Sequence, residues 1–331
     1  MNNQKQNLGQ FNTKSGVWLR PHVAQFIKGS GCRTVVDPYA GGGDLLSAVN
    51  DYFTWYIGYD IDPELAWEWN DGLSAIPYHD GAMVVTNPPY LAKNSATRNC
   101  LDSYDYFKMD DNDQYEDLYQ IALEKVLSQY KKAVFIIPET YFQTDFFKNH
   151  LDSYTIIEEN PFEDTDCPVC VATFDVSNDF YRIAGNNYKI YKNDSYLFDR
   201  FGLIDILYKF NSTRLNAPIT FNDPNGNLGL RGVDGVLPYD SIHFCQPYDL
   251  QYKRDIKESS RSITIINVEG VEVDSTFLDA VNFYLRKLRR DTHDVVLSPF
   301  KGNNKLGQRR RRLDYKWARK IIEKSMETLD K

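Results

Sequence analysis

Short apolar runs, each stopped by a turn-forming residue, recur along the first half of the chain. Thr34-Val35-Val36-Asp37 is the first, followed by Tyr56-Ile57-Gly58-Tyr59-Asp60 and Ala82-Met83-Val84-Val85-Thr86. Ala133 to Ile137 (stopped by Pro138), Tyr154 to Ile157 and Val169 to Phe174 complete the series. Runs this short, rich in β-branched residues and bounded by turn signals, predict strands. Between them, Asp117 to Tyr130 repeats its apolar positions Leu118, Ile121, Ala122 and Val126 at helical spacing. Buried strands alternating with helices predict an α/β fold built on a parallel sheet covered on both faces.

The pattern changes near residue 180. Glycine, asparagine and proline turns become frequent, most densely from Phe221 to Gly235, and a short strand follows at Ile263 to Val268. Helical spacing then covers Ser275 to Arg290 and Leu313 to Met326. Two domains are expected, residues 1–180 and 181–331, in keeping with about 100–200 residues per domain.

Charge divides at the same place. The chain carries −8 overall, which by itself argues against a polyanionic partner, but residues 1–180 hold 12 Lys and Arg against 27 Asp and Glu, and residues 181–331 hold 26 against 19. An acidic half is joined to a basic one, and the distribution outweighs the sum. The densest basic run lies between Lys301 and Lys324. A charge run is commonly a solvated face; here the asymmetry makes Arg309, Arg310, Arg311, Arg312, Lys316, Arg319 and Lys320 candidates for contact with phosphates. Arg231, in Gly229-Leu230-Arg231-Gly232-Val233-Asp234-Gly235, is a candidate for reading guanine in the major groove from a glycine-flanked loop, against the plainer reading of an ordinary surface loop.

No stretch approaches the roughly 20 apolar residues of a membrane span. Met1 to Gln10 is polar, unlike a secretory signal. A cytoplasmic protein without a membrane partner is therefore expected. Five cysteines at irregular spacing do not suggest a disulfide framework. Cys167 and Cys170 form a single CxxC with no second pair and no suitably spaced histidines, so they are read as residues entering a buried strand, and no metal is expected.

Three motifs follow strand ends. Asp37-Pro38-Tyr39-Ala40-Gly41-Gly42-Gly43-Asp44 is a glycine-rich turn opening a helix. Glycines let the backbone turn sharply and approach a ligand. The Lys-Ser/Thr of a phosphate loop is missing, and the acid that follows suits a ligand with an ammonium group. Asp60, at the end of the next strand, is placed to accept hydrogen bonds from ribose hydroxyls, with Ile61 against an adenine ring. Thr86-Asn87-Pro88-Pro89-Tyr90 is the most specific of the three. Two prolines stiffen the backbone and remove two amide donors, leaving carbonyls and the Asn87 side chain as acceptors beside an aromatic ring. A rigid pair of acceptors beside a flat surface suits a planar base with an amino group.

On these residues the sequence resembles the amino-group DNA methyltransferases, and within them the N6-adenine enzymes of restriction-modification type in their gamma arrangement. The resemblance covers most of residues 7–176. It implies a Rossmann-like S-adenosylmethionine-dependent methyltransferase fold with a C-terminal DNA-recognition domain, S-adenosylhomocysteine as product, and double-stranded DNA as partner. A cognate endonuclease of a type II restriction-modification system is a further expected partner. By the resemblance, Gly9-Gln10-Phe11-Asn12-Thr13 closes over the methionine part of the cofactor through Phe11 and Thr13. Asp37, Tyr39, Gly41 and Gly43 form the cofactor loop, Asp60 and Ile61 hold the ribose and adenine, and Asp71 reads the adenine amino group, with Asp80 as rival. Asn87, Pro88 and Tyr90 are the implied catalytic residues, Asn87 also touching the cofactor, and Tyr90 and Phe162 stack on the target base. Alternatives on the same fold are RNA adenine and protein glutamine methyltransferases, and N4-cytosine within DNA. The N-terminal segment and the basic second half favour DNA over RNA and protein, and Asn87, where the N4-cytosine enzymes usually show Ser, favours adenine.

Overall fold

The structure is a computed structural model that describes residues 13, 16–162, 165–177, 186–212, 217–250 and 262–329. It divides into two compact units, the first ending at Arg200 and the second beginning at Phe201.

The first unit is built on a nine-stranded sheet of order β3-β2-β1-β4-β5-β7-β6-β8-β9. Its strands are β1 (Thr34–Asp37), β2 (Trp55–Asp60), β3 (Glu68–Trp69), β4 (Ala82–Thr86), β5 (Lys132–Pro138), β6 (Leu151–Ile156), β7 (Val169–Asp175), β8 (Lys189–Lys192) and β9 (Ser195–Asp199). Every residue of β4 is buried, as are all but one in each of β1, β5 and β7. Such strands have no solvent face, which is why their sequences are continuous apolar runs. The expected Rossmann-like α/β fold is what the chain adopts.

Two features depart from the expectation. The sheet is parallel from β3 through β5 and again between β6 and β8, but β7 runs antiparallel to both β5 and β6, and β9 to β8. The described part of the 157–168 connection between β6 and β7 holds no helix, and without a helical crossover the pair returns antiparallel. The second departure is the boundary. β8 pairs with β6 and β9 with β8, so residues 189–199 belong to the first sheet, and the division expected at 180 falls at Arg200.

Helix Leu118–Leu127 starts at Asp117, which caps it in a reciprocal box with Gln120. Its buried face joins Leu73, Ala96, Phe107 and Tyr115 in a cluster that also takes in Tyr39 and Tyr106 at its margin. This cluster underlies the site described below.

The second unit contains a four-stranded antiparallel sheet, order β10-β13-β11-β12, formed by β10 (Ile219–Phe221), β11 (Leu228–Arg231), β12 (His243–Cys245) and β13 (Ile263–Val268). A hairpin of β14 (Ser298–Asn303) and β15 (Arg309–Arg312) and the helices Ser275–Thr292 and Tyr315–Leu329 complete it. No helix among the described residues is long and apolar enough to cross a membrane.

Candidate functional site

In an open α/β sheet, ligands bind beyond the carboxyl ends of the strands where the chain order reverses. Here that point lies between β1 and β4, because β2 and β3 extend the sheet to one side and β5 to the other. The three sequence motifs follow β1, β2 and β4, so the topology gathers them at one end of one crevice.

The glycine turn is tied to its neighbours by named bonds. Asp37 Oδ1 accepts from the Tyr39 amide at 3.0 Å and from Thr86 Oγ1 at 2.6 Å, which ties the end of β1 to the end of β4. Asp60 Oδ2 accepts from the Gly41 amide at 2.8 Å, and its Oδ1 from the Asp62 amide at 2.9 Å. Gly41 and Gly43 have positive φ, at 51° and 83°, where a side chain strains the backbone. A Cβ on Gly43 would lie 2.8 Å from the Trp67 ring, whose Nε1 donates to the Gly41 carbonyl at 2.8 Å. Trp67 therefore buttresses the turn; no motif marks it in the sequence.

Two cavities flank the turn. One is lined by residues that include Tyr39, Asp60, Ile61, Asp71, Leu73, Pro89 and Tyr106. The other is lined by residues that include Thr13, Asp37, Tyr39, Gly41, Asp44 and Asn87. Asp80, the rival of Asp71, lines a separate cavity with Lys131 and Gln129. Asp71 accepts from Ser74 Oγ at 2.6 Å and from the Tyr106 hydroxyl at 3.2 Å. Pro89 reaches this wall from the Asn87–Tyr90 motif, whereas Tyr106 and Leu73 join it without a signal that composition or spacing could have supplied. Phe11 lies outside the described residues.

Two polar atoms beside these cavities, Asp37 Oδ2 and the Tyr39 hydroxyl, are buried and have no hydrogen-bond partner among the described residues. Buried polar groups are otherwise almost always satisfied, so the pair fits a polar ligand that supplies the missing bonds. Burial pushes the Asp37 carboxyl up to about 7, against the lowering pull of its bonds from Thr86 and Tyr39 and with a further upward push from the Asp60 charge. A cation settling beside Oδ2 would reverse that balance. The residues therefore fit an adenosyl ligand with a cationic amino acid tail.

At the end of β4, Asn87 Nδ2 donates to Thr13 Oγ1 at 3.1 Å, and the Tyr90 hydroxyl donates to Asn87 Oδ1 at 2.9 Å. Thr13 also bridges to Phe162 in an isolated antiparallel pair. The Tyr90 and Phe162 rings lie 6.3 Å apart at 56°, and both are buried. The structure thus brings Thr13, Asn87, Tyr90 and Phe162 together.

The basic candidates divide. β15 alternates, with Arg309 and Arg311 buried and Arg310 and Arg312 half-exposed, so the first two correct the expectation of a phosphate-facing arginine run. A strand sends alternate side chains to opposite faces. Arg309 Nη1 donates to Asn303 Oδ1 at 3.0 Å, and the Arg311 amide donates to Asp234. Arg231 is likewise corrected: it ends β11 instead of standing in a glycine-flanked loop, and it pairs with Asp240. Arg319 turns to the carbonyls of Ala217 and Ile219. Lys320 donates to Asn211 Oδ1 at 3.2 Å. Lys316 remains exposed. Cys170 lies buried in β7, and Cys167 just ahead of it is half-buried, as the strand reading expected.

No curated protein matches the chain in sequence. Among solved structures, a protein described as a class I S-adenosylmethionine-dependent methyltransferase from Listeria monocytogenes is 13% identical, with a TM-score of 0.38 over 57% of this chain and 68% of its own. The type I restriction-modification methyltransferase subunit from Streptococcus thermophilus is 14% identical, with a TM-score of 0.37 over 60% and 53%. The M protein of the type I restriction enzyme EcoKI (EC 2.1.1.72) is 12% identical, with a TM-score of 0.34 over 50% and 47%. The chain spans about half the length of these last two. Residues 67–166, which carry Asp71, the Asn87–Tyr90 corner and Phe162, match the family of the Eco57I restriction-modification methylase.

Proposed function

We propose that this chain transfers a methyl group from S-adenosylmethionine to N6 of an adenine extruded from duplex DNA, as the modification enzyme of a restriction-modification system. The observation that carries the reading is the Asn87-Pro88-Pro89-Tyr90 corner at the end of β4, beside a cavity holding an unpartnered buried carboxylate oxygen. When bound, S-adenosylmethionine supplies a methyl group on a cationic sulfur. The rest of the chemistry belongs to the chain. Asp37 and the Gly41–Gly43 turn receive the amino acid tail, Asp60 and Ile61 the ribose and adenine, and Asp71 with Tyr106 the adenine edge. Asn87 Oδ1 and the Pro88 carbonyl accept hydrogen bonds from the target amino group. Two acceptors pull that nitrogen toward a tetrahedral form and free a lone pair otherwise delocalised into the ring. Tyr90 and Phe162 receive the extruded base between them, offsetting its loss of stacking, since base–aromatic contacts contribute about 1–3 kcal/mol each. Positioning and fixed dipoles account for the acceleration.

Asn87→Ala tests the reading. Tritiated methyl transfer to plasmid DNA is expected to fall at least about a hundredfold, the usual scale for losing one preorganised polar group, while S-adenosylmethionine still binds. Sequencing of modified bases in the wild-type product identifies the atom and the site. Full transfer by the variant, or label on cytosine alone, refutes it.

A further inference from the structure

In the second unit, the hairpin of β14 and β15 stands on a cross-linked base. Asp234 accepts from Arg289 Nη1 at 2.8 Å and Nη2 at 2.9 Å, and from the amides of Arg311 and Ile242 at 3.0 Å each. Arg310 Nε donates to the Asp234 carbonyl at 2.8 Å, and Val233 bridges Arg312. The turn at the other end is equally fixed. Asn304 Oδ1 accepts from the amides of Leu306 at 2.9 Å and Gln308 at 3.0 Å, and the Gly307 amide closes on the Asn304 carbonyl at 2.9 Å. This rigid turn holds Leu306 outward, 67% exposed. A second loop lies alongside, joined by the Lys305 amide to the Val236 carbonyl at 2.9 Å, and it presents Val236 and Tyr239, the latter 82% exposed. Lys301 and Lys305 are exposed on the hairpin, with Arg310 and Arg312 half-exposed on the outward row of β15.

A lone exposed leucine needs no explanation. A leucine on a braced turn, beside a second apolar loop and on a hairpin that exposes Lys301 and Lys305, has a chemistry that water does not use. We propose that the tip of this hairpin enters duplex DNA and that Leu306 is an apolar wedge pressed between base steps. The inference rests on the reading of duplex DNA as substrate. Apolar wedges of this size unstack a step and kink the duplex, the exposed lysines suit the phosphates on either side, and a turn already ordered loses little entropy on insertion. Leu306 is thus a positioning residue for base extrusion.

The test compares wild type, Leu306→Ala and Leu306→Met by tritiated methyl transfer, first to plasmid DNA. The adenine located by sequencing that plasmid is then placed in a duplex oligonucleotide opposite thymine or opposite an abasic site. On the paired duplex, Leu306→Ala is expected to lose about tenfold in kcat/KM and Leu306→Met to stay near wild type, with S-adenosylmethionine affinity equal in all three. Opposite the abasic site, where extrusion is easier, the defect is expected to shrink to about twofold. An alanine variant as active as wild type on the paired duplex overturns the wedge and leaves the methyltransferase reading standing. A defect of equal size on both duplexes also overturns it. A wild type that labels no DNA removes both.

Discussion

On the proposed reading, Asp37 makes cofactor binding weaken on acidification as any cation-binding aspartate does, but in a pH window moved up from about 3.8 to about 7. Its folded value is about 7, raised by burial, so at pH 5.5 nearly every empty site holds a neutral carboxylic acid. A cationic amino acid tail calls for the carboxylate, and a proton must leave as it binds. For a single group the apparent Kd scales as one plus the ratio of proton concentration to acid constant. That factor is about thirtyfold at pH 5.5 and about twofold at pH 7, so affinity weakens about fifteenfold, or about 1.6 kcal/mol, between pH 7 and pH 5.5. The tail's own amino group stays charged throughout, since α-amino groups titrate at about 7.7–8.0. Isothermal calorimetry with S-adenosylhomocysteine, in two buffers of different ionisation enthalpy, reads both the Kd and the protons released, about half a proton per site at pH 7. Asp37→Asn is expected to bind weakly and with a flat profile. Asp44 lines the same cavity; if it alone held the ammonium, Asp37 would keep its proton. A wild-type Kd constant within about twofold across this range refutes the reasoning.

Asp60→Ala removes the acceptor of the Gly41 amide as well as the ribose partner, so cofactor affinity is expected to fall at least about tenfold by calorimetry, the scale of a lost charged hydrogen bond. An unchanged Kd rules that role out. Gly43→Ala places a Cβ 2.8 Å from Trp67 in a left-handed conformation that costs about 1–2 kcal/mol by itself, and thermal melting should drop by several degrees, more than for Gly41→Ala, whose Cβ meets nothing within 4 Å. Burial also raises Asp117, from an ordinary 3.8 to about 7. The folded state then binds more protons than the unfolded chain between those values, so this group's contribution is present below pH 3.8 and lost as pH rises to 7. Asp117→Asn, which can still cap the helix, should raise the urea midpoint at pH 7.5 and flatten its pH dependence; an identical profile speaks against the buried acid.

The core of the first unit was legible because its strands are buried on both sides. Apolar runs ending at Asp37, Asp60 and Thr86 located β1, β2 and β4 to within a residue, and with them the end of the sheet where the motifs meet. β8 and β9 were missed because Lys189-Ile190-Tyr191-Lys192 and the strand after it sit at an edge of the sheet, half-solvated and mixed in polarity. The arginine run misled for the opposite reason. A period-2 burial pattern in a string of identical charged residues leaves no trace in hydropathy, and only pairing with β14 shows that Arg309 and Arg311 point inward. Trp67 reaches the site from a bend and Tyr106 from the short 3-10 helix Asp102–Lys108, where nothing periodic announces them.

The bond from the Tyr90 hydroxyl to Asn87 Oδ1 also means that the amide proposed to receive the target amino group is engaged before any base arrives. An arriving donor must share that oxygen with the phenol or turn it away. Small amines that reach the crevice have no ring to displace the aromatic pair behind it. A purine does, so on the proposed reading entry itself is expected to select for a flat heterocycle.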